Sequence, residues 1–138
     1  DEVKPILPPS PDFNPSIFWS AGKFYAILDT KDPFLMMDLD AEVRFEIDFS
    51  DCDVFCAHLE DINDNDLVYY PHPTYLGKST LLDLYGNDWD NLAYNTSLLY
   101  FKDIELAHEY ANQAFDFIRS VDSTNPAFEK GYILLAEQ

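Results

Sequence analysis

The chain predicts an α+β domain, an antiparallel β-sheet with one main amphipathic α-helix packed on a face. Two periodicities carry that expectation. Leu39, Ala41, Val43, Phe45, Ile47 and Phe49 alternate with Asp38, Asp40, Glu42, Arg44, Glu46 and Asp48. Period 2 is the mark of a strand with one face on a core. Ala107, Tyr110, Ala111, Ala114, Phe117, Ile118 and Val121 recur at three- and four-residue steps, the mark of a helix with one apolar face. Together they place Val43, Phe45, Ile47 and Phe49 beneath a helix of residues 104–121.

The elements follow in chain order. Residues 1–16 hold Pro5, Pro8, Pro9, Pro11 and Pro15. Proline fixes φ and lacks an N–H, so this is an extended N-terminal arm. Val3, Ile6, Leu7 and Phe13 would lay it along the domain of residues 17–138; the alternative is a disordered tail. Ile17-Phe18-Trp19 and Phe24–Leu28 read as two short strands joined by a turn at Ser20–Lys23, with Gly22 free to take φ > 0. Thr30–Pro33 makes the next turn, and residues 34–49 the long acidic strand. Residues 53–59 suit a short helix or a further strand. Leu67–Tyr70 reads as a strand stopped by Pro71 and Pro73. Ser79 or Thr80 caps a short helix ended by Gly86. Residues 87–95 form a polar loop around Trp89, followed by an apolar run at Leu98–Phe101. Asp103 caps the main helix, and residues 131–135 close the chain as a strand.

Composition narrows the function. With 138 residues the chain has room for one domain with a real core, and 47% hydrophobic and 16% aromatic residues argue against disorder. Against 26 acidic residues stand 8 basic ones, a formal net charge of −18. That charge opposes direct binding to nucleic acid and to anionic membranes. It favours a basic protein surface, a metal cation or plain solubility. No apolar run reaches membrane-spanning length, and no signal peptide is expected. Cys52 and Cys56 are too few for a disulfide framework, so a reducing, cytoplasmic setting is expected. Asn95-Thr96-Ser97 is a formal glycosylation sequon of a kind common by chance.

Sites for chemistry fail on their details. Gly77-Lys78-Ser79-Thr80 ends like a P-loop, but His72 stands where the first glycine belongs. Asp61-Ile62-Asn63-Asp64-Asn65-Asp66 opens like an EF-hand, but position six is Asp66 and position twelve is His72. Cys52, Cys56 and His58 lack the spacing of a zinc knuckle, and buried, inert thiols are the better reading. His108-Glu109-Tyr110-Ala111-Asn112 has asparagine where a metalloprotease has its second histidine, leaving His108 as a helix-surface residue. No nucleophile elbow or dinucleotide-binding turn is present. The expectation is a protein that is not an enzyme and uses no cofactor or metal.

Charge placement suggests a binding role. Residues 38–66 carry eleven carboxylates and one cation, Arg44. A basic partner would meet Asp38, Asp40, Glu42, Glu46 and Asp48 on the strand. A second group, Asp51, Asp53, Glu60, Asp61, Asp64 and Asp66, would have to share that side. Duplex DNA carries one charge per roughly 1.7 Å of axis, whereas one strand offers one per about 6–7 Å. Asp88-Trp89-Asp90 frames an aromatic with acids, which either anchors an interface or plugs the end of the core. Tyr69, Tyr70 and Tyr75 form a second possible contact patch.

In charge, size and aromatic content the chain resembles small phage-encoded inhibitors that act as DNA mimics against host defence nucleases. The stretch LLDLYGNDWDN, residues 81–91, is similar to wording found in small phage proteins. Immunity proteins against nuclease toxins share the profile. The resemblance implies an inhibitor that blocks a basic, nucleic-acid-binding protein, possible as a homodimer that lengthens its charged face. The competing expectations are an acidic structural or adaptor domain, whose charge would be spread, and a cation-binding module, whose oxygens would converge on one point.

Because the 61–66 loop lacks the ligand at position twelve, millimolar calcium is expected to raise the melting temperature only slightly. Thermal scans across a calcium titration check this, and a saturable rise of many degrees with a submillimolar midpoint would establish a cation module instead.

Overall fold

The computed structural model describes residues 13–16, 18–60 and 93–120. The fold is α+β. A single 3-10 turn, Trp19–Ala21, runs into helix α1, Gly22–Asp29. Strand β1 is Phe34–Met37, β2 is Val54–Glu60 and β3 is Ala93–Phe101. Helix α2, Ile104–Ser120, follows β3 directly. The sheet order is β1-β3-β2, with both outer strands antiparallel to β3.

The main helix lies where the sequence puts it. Asp103 Oδ1 accepts from the N–H groups of Glu105 (2.9 Å) and Leu106 (3.2 Å), satisfying two donors that a helix start leaves open. Glu105 in the first turn and Arg119 in the last complement the helix dipole. Ala107, Ala111, Ala114, Phe117 and Ile118 are buried as expected. Phe115 joins them, which the stripe read from the sequence omitted.

The expected strand at Phe24–Leu28 lies within α1, and of the one at 17–19 Trp19 opens the 3-10 turn, Phe18 is irregular and residue 17 lies outside the described residues. Phe18, Ala21, Phe24 and Ile27 are all buried, and they recur every three residues. That is helical spacing, and it overrides the strand-like look of a five-residue apolar run. Gly22 begins α1 at φ −54°, an ordinary right-handed conformation, rather than closing a turn. Residues 53–59, open between helix and strand, form most of β2. The expected polar loop ends early, since β3 already begins at Ala93. The sequon therefore lies within the central strand, with Thr96 buried.

Register separates the two faces of the sheet. Phe34 and Val54 flank Phe101, Met36 and Cys56 flank Leu99, and Leu35 and Phe55 flank Tyr100. Leu99 and Phe101 are buried with the helices, so Tyr100 and its partners face the other way. α2 meets the sheet through Tyr110, whose ring lies 5.6 Å from Phe101. α1 packs on α2 through Phe24 and Tyr25, at 5.7 and 4.6 Å from Phe115. Phe13, at the end of the proline-rich segment, packs on Phe18 and Phe115 at 6.0 and 6.2 Å. His108 is half-buried rather than a free surface group, with Nε2 3.0 Å from the Thr30 carbonyl beyond the end of α1.

The long acidic strand is not present. β1 stops at Met37, and residues 38–53 are irregular. Phe45 is 78% exposed, Leu39 and Val43 are exposed as well, and none of them lies under a helix. The reason is topological. β1 and β2 each run antiparallel to β3, so they run parallel to one another. Parallel strands need a crossover of a dozen or more residues. Residues 38–53 are that crossover and cannot also lie in the sheet.

The expected strands at 67–70 and 131–135, the helix ended by Gly86, Val121 and residues 1–12 of the arm lie outside the described residues, as do the 61–66 loop and the tyrosines at 69, 70 and 75. No helix among the described residues is long and apolar enough to cross a membrane.

Phe115, 2% exposed and in contact with three other rings, is the centre of the helical layer. Phe115→Ala is expected to cost about 3–5 kcal/mol. Phe45→Ala, at an exposed position, is expected to stay within about 0.5 kcal/mol of the parent. Urea unfolding of both variants checks the pair, and a large loss for Phe45→Ala would contradict the arrangement of the crossover.

Candidate partner-binding surface

The crossover is fastened at both ends. At the β1 end the Asp38 N–H donates to the Ser97 carbonyl (2.9 Å), and the Ala41 N–H returns to the Asp38 carbonyl (3.0 Å). Lys23 of α1 pairs with the Asp38 carboxylate at 2.8 Å. At the β2 end the Lys102 N–H donates to the Asp53 carbonyl (2.9 Å), and the Lys102 ammonium lies 3.7 Å from the Asp53 carboxylate. Lys23 and Lys102 lie far from the acids in sequence, and no local pattern marked them.

Between these ends the segment rests on the face of the sheet opposite the helices. Phe49 stacks on Tyr100 with ring centroids 4.4 Å apart, and meets Phe55 edge-on at 5.6 Å. The Asp48 carboxylate accepts from the Ser50 N–H at 2.9 Å, and the Cys52 N–H bonds the Phe49 carbonyl at 3.2 Å. A side chain that bonds the backbone two residues on is a turn former and competes with a strand ladder. This turn presses Phe49 onto Tyr100. The Ser50 N–H holds the Asp48 carboxyl below its ordinary value, with a further contribution from the Ser50 hydroxyl.

The register also sets how far apart the strands that flank the crossover end. Met37 pairs with Leu98 and Val54 with Phe101, on opposite sides of β3. Two strand spacings across and three residues along put the flanking strand ends, Met37 and Val54, about 14 Å apart. The same residues drawn out as a strand would extend over about 50 Å.

Asp38, Asp40, Glu42, Glu46, Asp48, Asp51 and Asp53 all belong to this segment, and the Asp38 carboxylate is turned to Lys23 of α1, on the helical side. All but Asp38 are exposed. Arg44 pairs with Glu42 at 2.9 Å. Asp40, Glu46, Asp48 and Asp51 have no cation partner among the described residues. Glu60 ends β2, away from the crossover. Asp61, Asp64, Asp66, Asp88, Trp89 and Asp90 lie outside the described residues. Acids on the helical side, such as Glu105, Glu109 and Asp116, are spread along α2, where Asp116 lies 3.7 Å from Arg119.

Metal chemistry has little to work with here. No three His, Cys, Asp or Glu side chains converge to hold a metal ion among the described residues. Cys52 and Cys56 are free and half-buried rather than fully buried. The Cys52 thiol donates to the Val54 carbonyl (2.9 Å), and burial pushes the Cys56 thiol pKa up, which lowers its thiolate fraction.

Compared with protein-family models, with curated proteins and with solved structures, the chain matches no family, no curated protein and no solved structure.

The Asp48 turn has a consequence for pH. A carboxyl whose pKa is depressed by folding adds stability above its unfolded value and loses it as pH falls through the folded value. Carboxyl-carbon NMR is expected to give Asp48 a midpoint below the usual aspartate range. Ser50→Pro removes the N–H and is expected to raise that midpoint. An unchanged midpoint in the variant would show that another group sets it.

Proposed function

We propose that this chain is a non-catalytic acidic protein that occupies a basic, nucleic-acid-binding surface of a partner protein, as a DNA-mimic inhibitor of a defence nuclease does. One observation carries the reading. The crossover carries seven carboxylates, Asp38 to Asp53, in one segment tied to the sheet at both ends, and six of them are exposed. Arg44, the sole cation within the segment, is already paired with Glu42.

The mechanism is electrostatic competition. Carboxylates stand where phosphates would stand, accept hydrogen bonds from Lys and Arg, and speed encounter by long-range attraction. The free thiols of Cys52 and Cys56 suit a cytoplasmic setting, where such a partner meets nucleic acid.

The test begins with a pull-down from the source organism and salt-step elution, which supplies the partner. Asp40, Glu46 and Asp51 are the side chains to reverse to lysine, because they fasten nothing in the fold, whereas Asp48 holds a turn. The triple variant is expected to keep the parent's urea midpoint and to lose orders of magnitude in affinity, mainly through slower association at low salt. The reading fails if the triple variant binds as well as the parent, or if the partner holds nucleic acid and this protein together.

A further inference from the structure

Charge is only half of what the crossover presents. It turns Phe49 onto the sheet, yet leaves Leu39, Val43 and Phe45 in water. Beside it, Leu35 and Met37 of β1 are also exposed, and they lie on the same sheet face as Tyr100. A phosphate mimic has no use for an exposed phenyl ring. Exposed apolar side chains rimmed by polar groups mark a contact surface.

The charge around these side chains selects the occupant. A second copy of this chain would bring another seven carboxylates against the first seven, with Arg44 already engaged. An anionic lipid surface or a nucleic acid meets the same repulsion. A cationic protein surface complements the acids, and an apolar recess on it would complement the ring.

We infer that the 38–53 crossover is a docking surface for a Lys/Arg-rich protein surface that contains an apolar recess, with Phe45 as the anchoring side chain. The inference rests on the reading above and sharpens it. The acids govern how fast the partner arrives, and Phe45 governs how long it stays.

Two synthetic peptides of equal length and charge test this, one alternating arginine with serine and the other arginine with leucine. Binding is read by fluorescence anisotropy at low and high salt. The arginine–leucine peptide is expected to bind about tenfold more tightly and to keep more of its affinity at high salt. Phe45→Ser is expected to remove that advantage while leaving the arginine–serine affinity unchanged. Trp19→Ser, at an exposed aromatic in the helical layer, is the control and is expected to change neither. Equal binding of the two peptides, or an advantage that survives Phe45→Ser or falls equally with Trp19→Ser, would overturn the anchor and leave the electrostatic reading standing. If neither peptide binds, both fall.

Discussion

The parallel relation of β1 and β2 across β3 governs the rest of this fold. A hairpin cannot join two strands that run the same way with a third between them. The chain must leave the sheet after Met37, cross the face of β3 and re-enter at Val54. The helices already cover one face, with Tyr110 on Phe101. The crossover takes the other, where Phe49 lies on Tyr100. Connectivity therefore brings the acidic segment, at Phe49, onto that outer face.

Magnitudes show that charge repulsion did not dismantle the expected strand. Two carboxylates about 6–7 Å apart repel by roughly 0.6 kcal/mol in water. Burying one large apolar side chain contributes about 1.5–3 kcal/mol. A comb of acids would therefore be tolerated if its apolar side had a core to enter. It has none, because the core side of the sheet is filled by Leu99, Phe101 and the helices. Phe49 finds partial cover on the outer face, Ile47 is half-buried, and Phe45 finds little cover. Lys23 and Lys102 then offset part of the repulsion where the segment enters and leaves the sheet.

The features legible in the sequence were those set by local chemistry. The α2 stripe and the Asp103 cap are such features, since every residue needed for them lies within one or two turns. The α+β class is correct, although of the two periodicities that carried it only the helix stripe corresponds to its element; the 38–49 alternation is not a strand. The errors came where two periods compete or where topology decides. Phe24–Leu28 is too short to distinguish helix from strand by apolar content, and the three-residue recurrence through Phe18 and Ala21 held the answer. Alternation over 38–49 is genuine in the sequence, but period 2 does not state whether a sheet position is open. A local sign was present in Asp48-Phe49-Ser50, an acid two residues before a turn-forming serine. The acids of the candidate surface were thus found by composition, whereas the path of the segment that carries them is set by the pairing of distant strands.

Stability and surface are kept apart in this arrangement. The fold is held mainly by the ring cluster of Phe13, Phe18, Phe24, Tyr25, Phe101, Tyr110 and Phe115 on the helical side. The acidic crossover passes over the other face of the sheet at Phe49, in a segment attached by a few bonds at its ends and one stacked ring. At physiological salt, charges more than about 8 Å apart are largely screened. The core therefore feels little of the crossover's charge. A segment with so little part in folding is free to carry acids and an exposed phenyl ring, both of which a core would reject. In this fold the crossover is the place where binding groups are tolerated at least cost to the fold.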